Sequence, residues 1–152
     1  MASPLKKLLL PLLLLLCVGT FSSCGAIAYR YAWSDFEPEP DGSGMVGKWE
    51  GSWESERDGH SGGLRCMMSR EGDDAYVARF YSTYGLFFFF RHEATFRVVS
   101  REDGVHFEGE EDLGSLAGGV YQYQGHVADG QFEACYDAEN GDHGTFRMER
   151  LE

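Results

Sequence analysis

Turn signals recur at short intervals between Val46 and the C-terminus, and they constrain this chain more than any other feature. They are Asp58-Gly59, Gly72-Asp73, Tyr84-Gly85, Asp103-Gly104, the stretch from Gly114 to Gly119, Asp129-Gly130 and Asn140-Gly141. Asp-Gly and Asn-Gly tolerate the positive backbone angles of tight hairpins, so each marks a chain reversal. Seven such turns predict eight strands. Between them the apolar residues recur with a period of two: Leu64, Cys66, Met68; Tyr76, Ala78, Phe80; Val105, Phe107; Tyr121, Tyr123; Phe132, Ala134, Tyr136; Phe146, Met148. That spacing puts each set on one face of a strand. No stretch after residue 45 carries a helical stripe.

Antiparallel strands joined by hairpins bury one apolar face and lose their exposed edges most simply by closing into an up-and-down barrel. The expected fold is therefore all-β, an eight-stranded antiparallel barrel over residues 45–152, with a two-sheet sandwich as the alternative. Abundant glycine suits strands that coil sharply. The inward set supplies an aromatic lining of Tyr76, Phe80, Tyr121, Tyr123, Phe132, Tyr136 and Phe146. A barrel of this size either fills itself with side chains or holds one small ligand.

The stretch "GLFFFFRHEATFRVV" is apolar on both faces of its first half. Phe88 and Phe90 share a face with Ala94, Phe96 and Val98, while Phe87 and Phe89 point outward. The outward pair is either covered by the aromatics of the N-terminal segment or forms a contact surface.

Other residues capable of chemistry do not form a recognisable machine. Cys66 falls on the inward face and Cys135 on the outward one, which disfavours a disulfide between them. The five histidines lie far apart in sequence; His126 and His143, in different strands near the C-terminus, are the pair that could approach each other, and surface positions are the better expectation for all five. Glu108, Glu110 and Asp112 share a solvated face; carboxylate pairs are plentiful in so acidic a chain, and a glycosidase reading would use carboxylates such as Glu108 and Glu110 as acid and base. Nucleophile-elbow, zincin and phosphate-loop motifs are absent, so no catalytic residue, metal ligand or cofactor is assigned.

Residues 1–23 carry Lys6 and Lys7, an apolar run from Leu8 to Val18 interrupted by Pro11, and a small polar stretch, the layout of a secretory signal. Phe21-Ser22-Ser23-Cys24 is similar to a bacterial lipobox. The resemblance implies lipid attachment at Cys24, a membrane partner for that lipid and a cell-envelope location, with glycine after Cys24 resembling outer-membrane sorting. Cleavage after Ala26-Ile27-Ala28, giving a secreted or periplasmic protein, is the alternative. Residues 24–44 then form a tether whose Tyr29, Tyr31 and Trp33 alternate as on one face of an extended segment. The net charge of −12 grows more negative once Lys6 and Lys7 are removed, which excludes a phosphate backbone as partner.

Val46-Gly47-Lys48-Trp49 contains a Gly-x-Trp that resembles the opening motif of lipocalins and avidins. The resemblance covers the first strand, the last strand and the strand count. It implies a structural plug in which Trp49 stacks under an arginine from the closing "GTFRMERLE"; Arg147 or Arg150 would serve, and Arg147 is the one assigned. The function expected is non-catalytic binding of a small apolar or aromatic ligand, or of an envelope protein. The alternatives are an architectural or inhibitory role through Phe87 and Phe89, and a carbohydrate hydrolase.

Overall fold

The computed structural model describes residue 25 and residues 27–85 and 88–152. The signal region, Cys24 and Phe87 lie outside the described residues. The chain divides into two units, Met1–Asp35 and Phe36–Glu152.

In the first unit, residues 27–35 are helical, which replaces the extended tether expected there. A helix sets residues four apart on one face, so Tyr29 stacks on Trp33 with ring centroids 5.9 Å apart, while Tyr31 is exposed. No helix among the described residues is long and apolar enough to cross a membrane.

The second unit is a closed antiparallel barrel whose eight strands run in sequence order. They are β1 (Gly47–Ser55), β2 (Ser61–Arg70), β3 (Ala75–Tyr84), β4 (Phe88–Ser100), β5 (Val105–Asp112), β6 (Val120–Ala128), β7 (Gln131–Ala138) and β8 (His143–Arg150), with one 3-10 turn at Ser115–Ala117 between β5 and β6. Each of the seven turn signals falls on a strand connection. Closure comes from β1, which pairs with β2 through Trp49↔Cys66 and with β8 through Trp53↔Phe146. A sandwich would leave that last pairing unmade.

The up-and-down path gives the barrel two unlike ends. At one end lie the start of β1, the connections β2–β3, β4–β5 and β6–β7, and the end of β8; this end is closed. Met45 and Trp49 are fully buried there, and the Trp49 indole N–H donates to the Met45 carbonyl at 2.9 Å. Tyr76 donates to the Asp41 carboxylate at 3.0 Å, and Ser43 donates to the same carboxylate from its backbone N–H and its hydroxyl. Asp41 is partly buried, which raises its pKa, yet the Ser43 and Tyr76 hydrogen bonds and nearby Arg70 hold it below the usual carboxylate value. Residues 41–44, read as tether from the sequence, are thereby pinned to the barrel.

Above this floor, Phe96 stacks on Phe107 at 4.6 Å and Phe107 on Phe132 at 5.1 Å, with Trp49 5.8 Å from Phe132. Burying a ring of this size stabilises a fold by roughly 1.5–3 kcal/mol, so this cluster anchors the domain. Gly125 makes room for it: a Cβ there would lie 2.5 Å from the tip of Phe107 and 2.5 Å from the Glu133 carbonyl oxygen.

Candidate functional site

The opposite end, bounded by the connections β1–β2, β3–β4, β5–β6 and β7–β8, is open. The local reason is a mismatch between β4 and β5. β4 pairs with the whole length of β3, from Tyr84↔Phe88 to Ala75↔Arg97. Its pairing with β5 runs only from Phe96↔Gly109 to Ser100↔His106 and includes a register shift between Val98 and Ser100. Residues 88–95 therefore have no ladder partner in β5. Phe88 and Phe90, spaced for the inward face, are left 71% and 44% exposed at the mouth.

Beneath that mouth lies a cavity of about 270 Å³. Its walls are aromatic, with Trp53 from β1, Tyr84 from β3, Phe88 and Phe90 from β4, Tyr121 from β6, Tyr136 from β7 and Phe146 from β8, together with Leu113 and Asp142. Several of these groups are fixed from behind. The Trp53 indole N–H donates to the Thr83 carbonyl at 3.0 Å. This approach requires Gly62, where a Cβ would fall 1.8 Å from the same oxygen. Trp53 stacks on Tyr84 at 6.3 Å, and His60 meets the Tyr84 ring edge-on at 5.1 Å. Tyr121 donates its hydroxyl to the Ala117 carbonyl at 3.0 Å, tying the 3-10 turn to the wall.

A polar layer lies next to these walls. His92 is sandwiched between Phe80, at 4.8 Å, and Phe90, at 5.5 Å. Both of its ring nitrogens are buried without a hydrogen-bond partner among the described residues, as is the Tyr123 hydroxyl. Burial pushes the His92 pKa down to about 4 and raises that of Tyr123, with the neighbouring Tyr121 adding to the rise. Tyr123 stacks on the wall residue Tyr121 at 6.2 Å.

A designed barrel has a similar fold. It is a de novo designed fluorescence-activating β barrel, related to this chain with a TM-score of 0.53 and 16% sequence identity, over 74% of this chain and 100% of the designed one. No family model matches the sequence, and no curated protein matches it. At that identity the likeness establishes the eight-stranded barrel and nothing about a ligand.

The residues singled out as a lining divide by height in the barrel. Tyr121, Tyr136 and Phe146 reach the cavity. Phe80 and Tyr123 pack beside its walls, whereas Tyr76 and Phe132 belong to the filled lower half. Trp53, Tyr84 and Asp142 were not anticipated. The alternation Trp49, Gly51, Trp53 on β1 carried the signal for Trp53, since both tryptophans share the inward parity.

Arg150, not Arg147, lies over Trp49, at 5.3 Å from the ring centroid. Register decides this: Phe146, Met148 and Arg150 face inward, and Arg147 projects into solvent. Phe89 is half-buried and stacks on its outer-face neighbour Tyr81 at 5.3 Å. Glu108, Glu110 and Asp112 are exposed on the outer wall. His126 stacks across β5–β6 on His106 at 5.2 Å rather than approaching His143, and His106 Nε2 sits 2.7 Å from Asp103. Among the described residues no group of three His, Cys, Asp or Glu side chains is placed to hold a metal ion. Cys66 is buried and Cys135 exposed, both free.

Proposed function

We propose that the protein binds a small, largely aromatic ligand, without chemistry, in the cavity at the open end of its barrel. One observation carries this reading. A cavity of about 270 Å³ is walled by rings from six of the eight strands, while the opposite end of the same barrel is filled. The volume lies just under the range of pockets for drug-sized ligands, about 300–1,000 Å³, and so suits a guest of one or two rings. Exposed Phe88 and Phe90 give such a guest an apolar approach, and large apolar groups left in water usually mark an interaction site.

On this reading the closed end, with Gly47-Lys48-Trp49 and Arg150, is a lipocalin-like plug. We further propose that Cys24 carries the lipid that holds the protein on a membrane of the cell envelope. The lipobox-like sequence supports this, and replacing Cys24 with Ser should abolish incorporation of labelled acyl chains.

The binding reading is tested with the full chain by titrating a panel of one- and two-ring aromatics while following tryptophan emission. Saturable quenching that disappears in Phe90→Glu and persists in Arg147→Ala supports it. Absence of any saturable response across the panel would overturn it.

A further inference from the structure

The ligand-binding reading leaves open which aromatic guests the cavity prefers, and its single charged wall residue speaks to that. Asp142 is the only carboxylate among the lining residues, which include no Lys, Arg or His, and the other polar side chains there carry a hydroxyl or an indole N–H. Its carboxylate accepts from the Ser55 hydroxyl at 2.6 Å and from the Tyr136 hydroxyl at 3.4 Å. No cation among the described residues pairs with it: the nearby Arg57 guanidinium donates instead to the Asn140 carbonyl, at 3.0 Å. Ser55 is 2% exposed, so the carboxylate is held in place by a buried hydroxyl. A charge fixed in this way against ring faces, with no counter-ion of its own, favours a cation in the space before it.

The rings point to the same conclusion. Aromatic faces carry negative quadrupole potential and attract organic cations. Trp53, Tyr84, Tyr121 and Tyr136 surround the cavity that Asp142 lines. The field of the carboxylate extends to two of these walls. Burial raises the pKa values of Tyr121 and Tyr136, and Asp142 raises both further. The connections at this end also carry Glu56, Asp58 and Glu139, and the chain as a whole is strongly acidic, which draws cations toward the mouth.

We infer, building on the ligand-binding reading, that the cavity selects an aromatic or apolar guest bearing an ammonium group, with the cation against Asp142 and the hydrophobic body between Trp53 and Phe90. An anionic guest of the same shape would face the carboxylate and be rejected.

The test uses the full chain and three probes on one skeleton: 2-phenylethylamine, 2-phenylethanol and phenylacetate. Binding is read from tryptophan emission and confirmed by calorimetry. The amine is expected to bind at least about tenfold more tightly than the alcohol, and phenylacetate more weakly than either, consistent with a charge-assisted contact. In Asp142→Asn the amine should fall to the level of the alcohol while the alcohol is unchanged. Should that variant fail to fold, the charge series on the native chain still decides. Equal affinities for amine and alcohol, or a preference for phenylacetate, would overturn the cation inference while leaving the cavity as a ligand site. No saturable binding by any of the three would overturn both.

Discussion

Arg150 lies over the indole of Trp49, 5.3 Å from the ring centroid, and its guanidinium also donates to the Gly44 carbonyl. The last strand thereby clamps both the first strand and the segment leading into it, and the lower end of the barrel is shut. Trp49→Ala should cost about 3–5 kcal/mol, as for other fully buried large rings. Arg150→Ala should cost about 0.5–2 kcal/mol from the lost cation–ring contact. Arg147→Ala, three residues away but on the outer face, should stay within about 0.5 kcal/mol. Urea unfolding midpoints measure all three.

His92 gives the fold a pH dependence that can be isolated. Its pKa of about 4 in the folded chain lies below the unfolded value of about 6.5. The unfolded chain therefore binds more protons between these values, and stability falls as pH drops from 6.5 to 4. The full loss is about 3 kcal/mol, reached below pH 4. In His92→Phe this component should vanish, and stability at pH 7 should rise because two buried, unpaired nitrogens are gone. Unfolding curves of both proteins at closely spaced pH values check the difference.

Gly125 tests the packing of the lower core. A methyl group there would overlap Phe107, the Glu133 carbonyl and Ala134, with contacts of 2.5, 2.5 and 2.8 Å. Gly125→Ala is expected to destabilise by about 1–3 kcal/mol through overpacking. The thermal midpoint should fall accordingly.

The two cysteines of the barrel should differ sharply in reactivity. Burial pushes the Cys66 thiol well above its usual pKa, whereas Cys135 is exposed. Alkylation of the folded chain followed by peptide mapping should find Cys135 modified and Cys66 protected until denaturant is added.

Much of the barrel was legible in the sequence because its signals are local. Hairpin glycines such as Gly59 and Gly141 mark reversals through their own backbone angles, and the alternation of Phe132, Ala134 and Tyr136 reports one strand's facing without reference to any other. Arg150 rather than Arg147 was legible in the same way, since it shares the inward parity of Phe146 and Met148. The division of the lining into filled and open halves was not local, because parity gives facing but not height. Tyr76 and Tyr136 read alike in sequence, yet one hydroxyl meets Asp41 at the closed end and the other meets Asp142 at the open end. Phe88 and Phe90 look like core residues by spacing, yet they lie on β4 beyond its pairing with β5, which ends at Phe96, and are exposed. Asp142 directly follows the turn glycine Gly141, and nothing in its spacing separates it from the other loop acids of an acidic chain.

The most direct test of a guest at the open end compares the two tryptophans of the barrel interior. Trp53 lines the cavity, and Trp49 is sealed at the far end. In nitrogen–proton correlation spectra of the full chain, added 2-phenylethylamine should shift the Trp53 indole N–H signal saturably and leave that of Trp49 in place. If neither signal moves at saturating concentration, or if Trp49 moves while Trp53 does not, the open-end cavity is not a binding site.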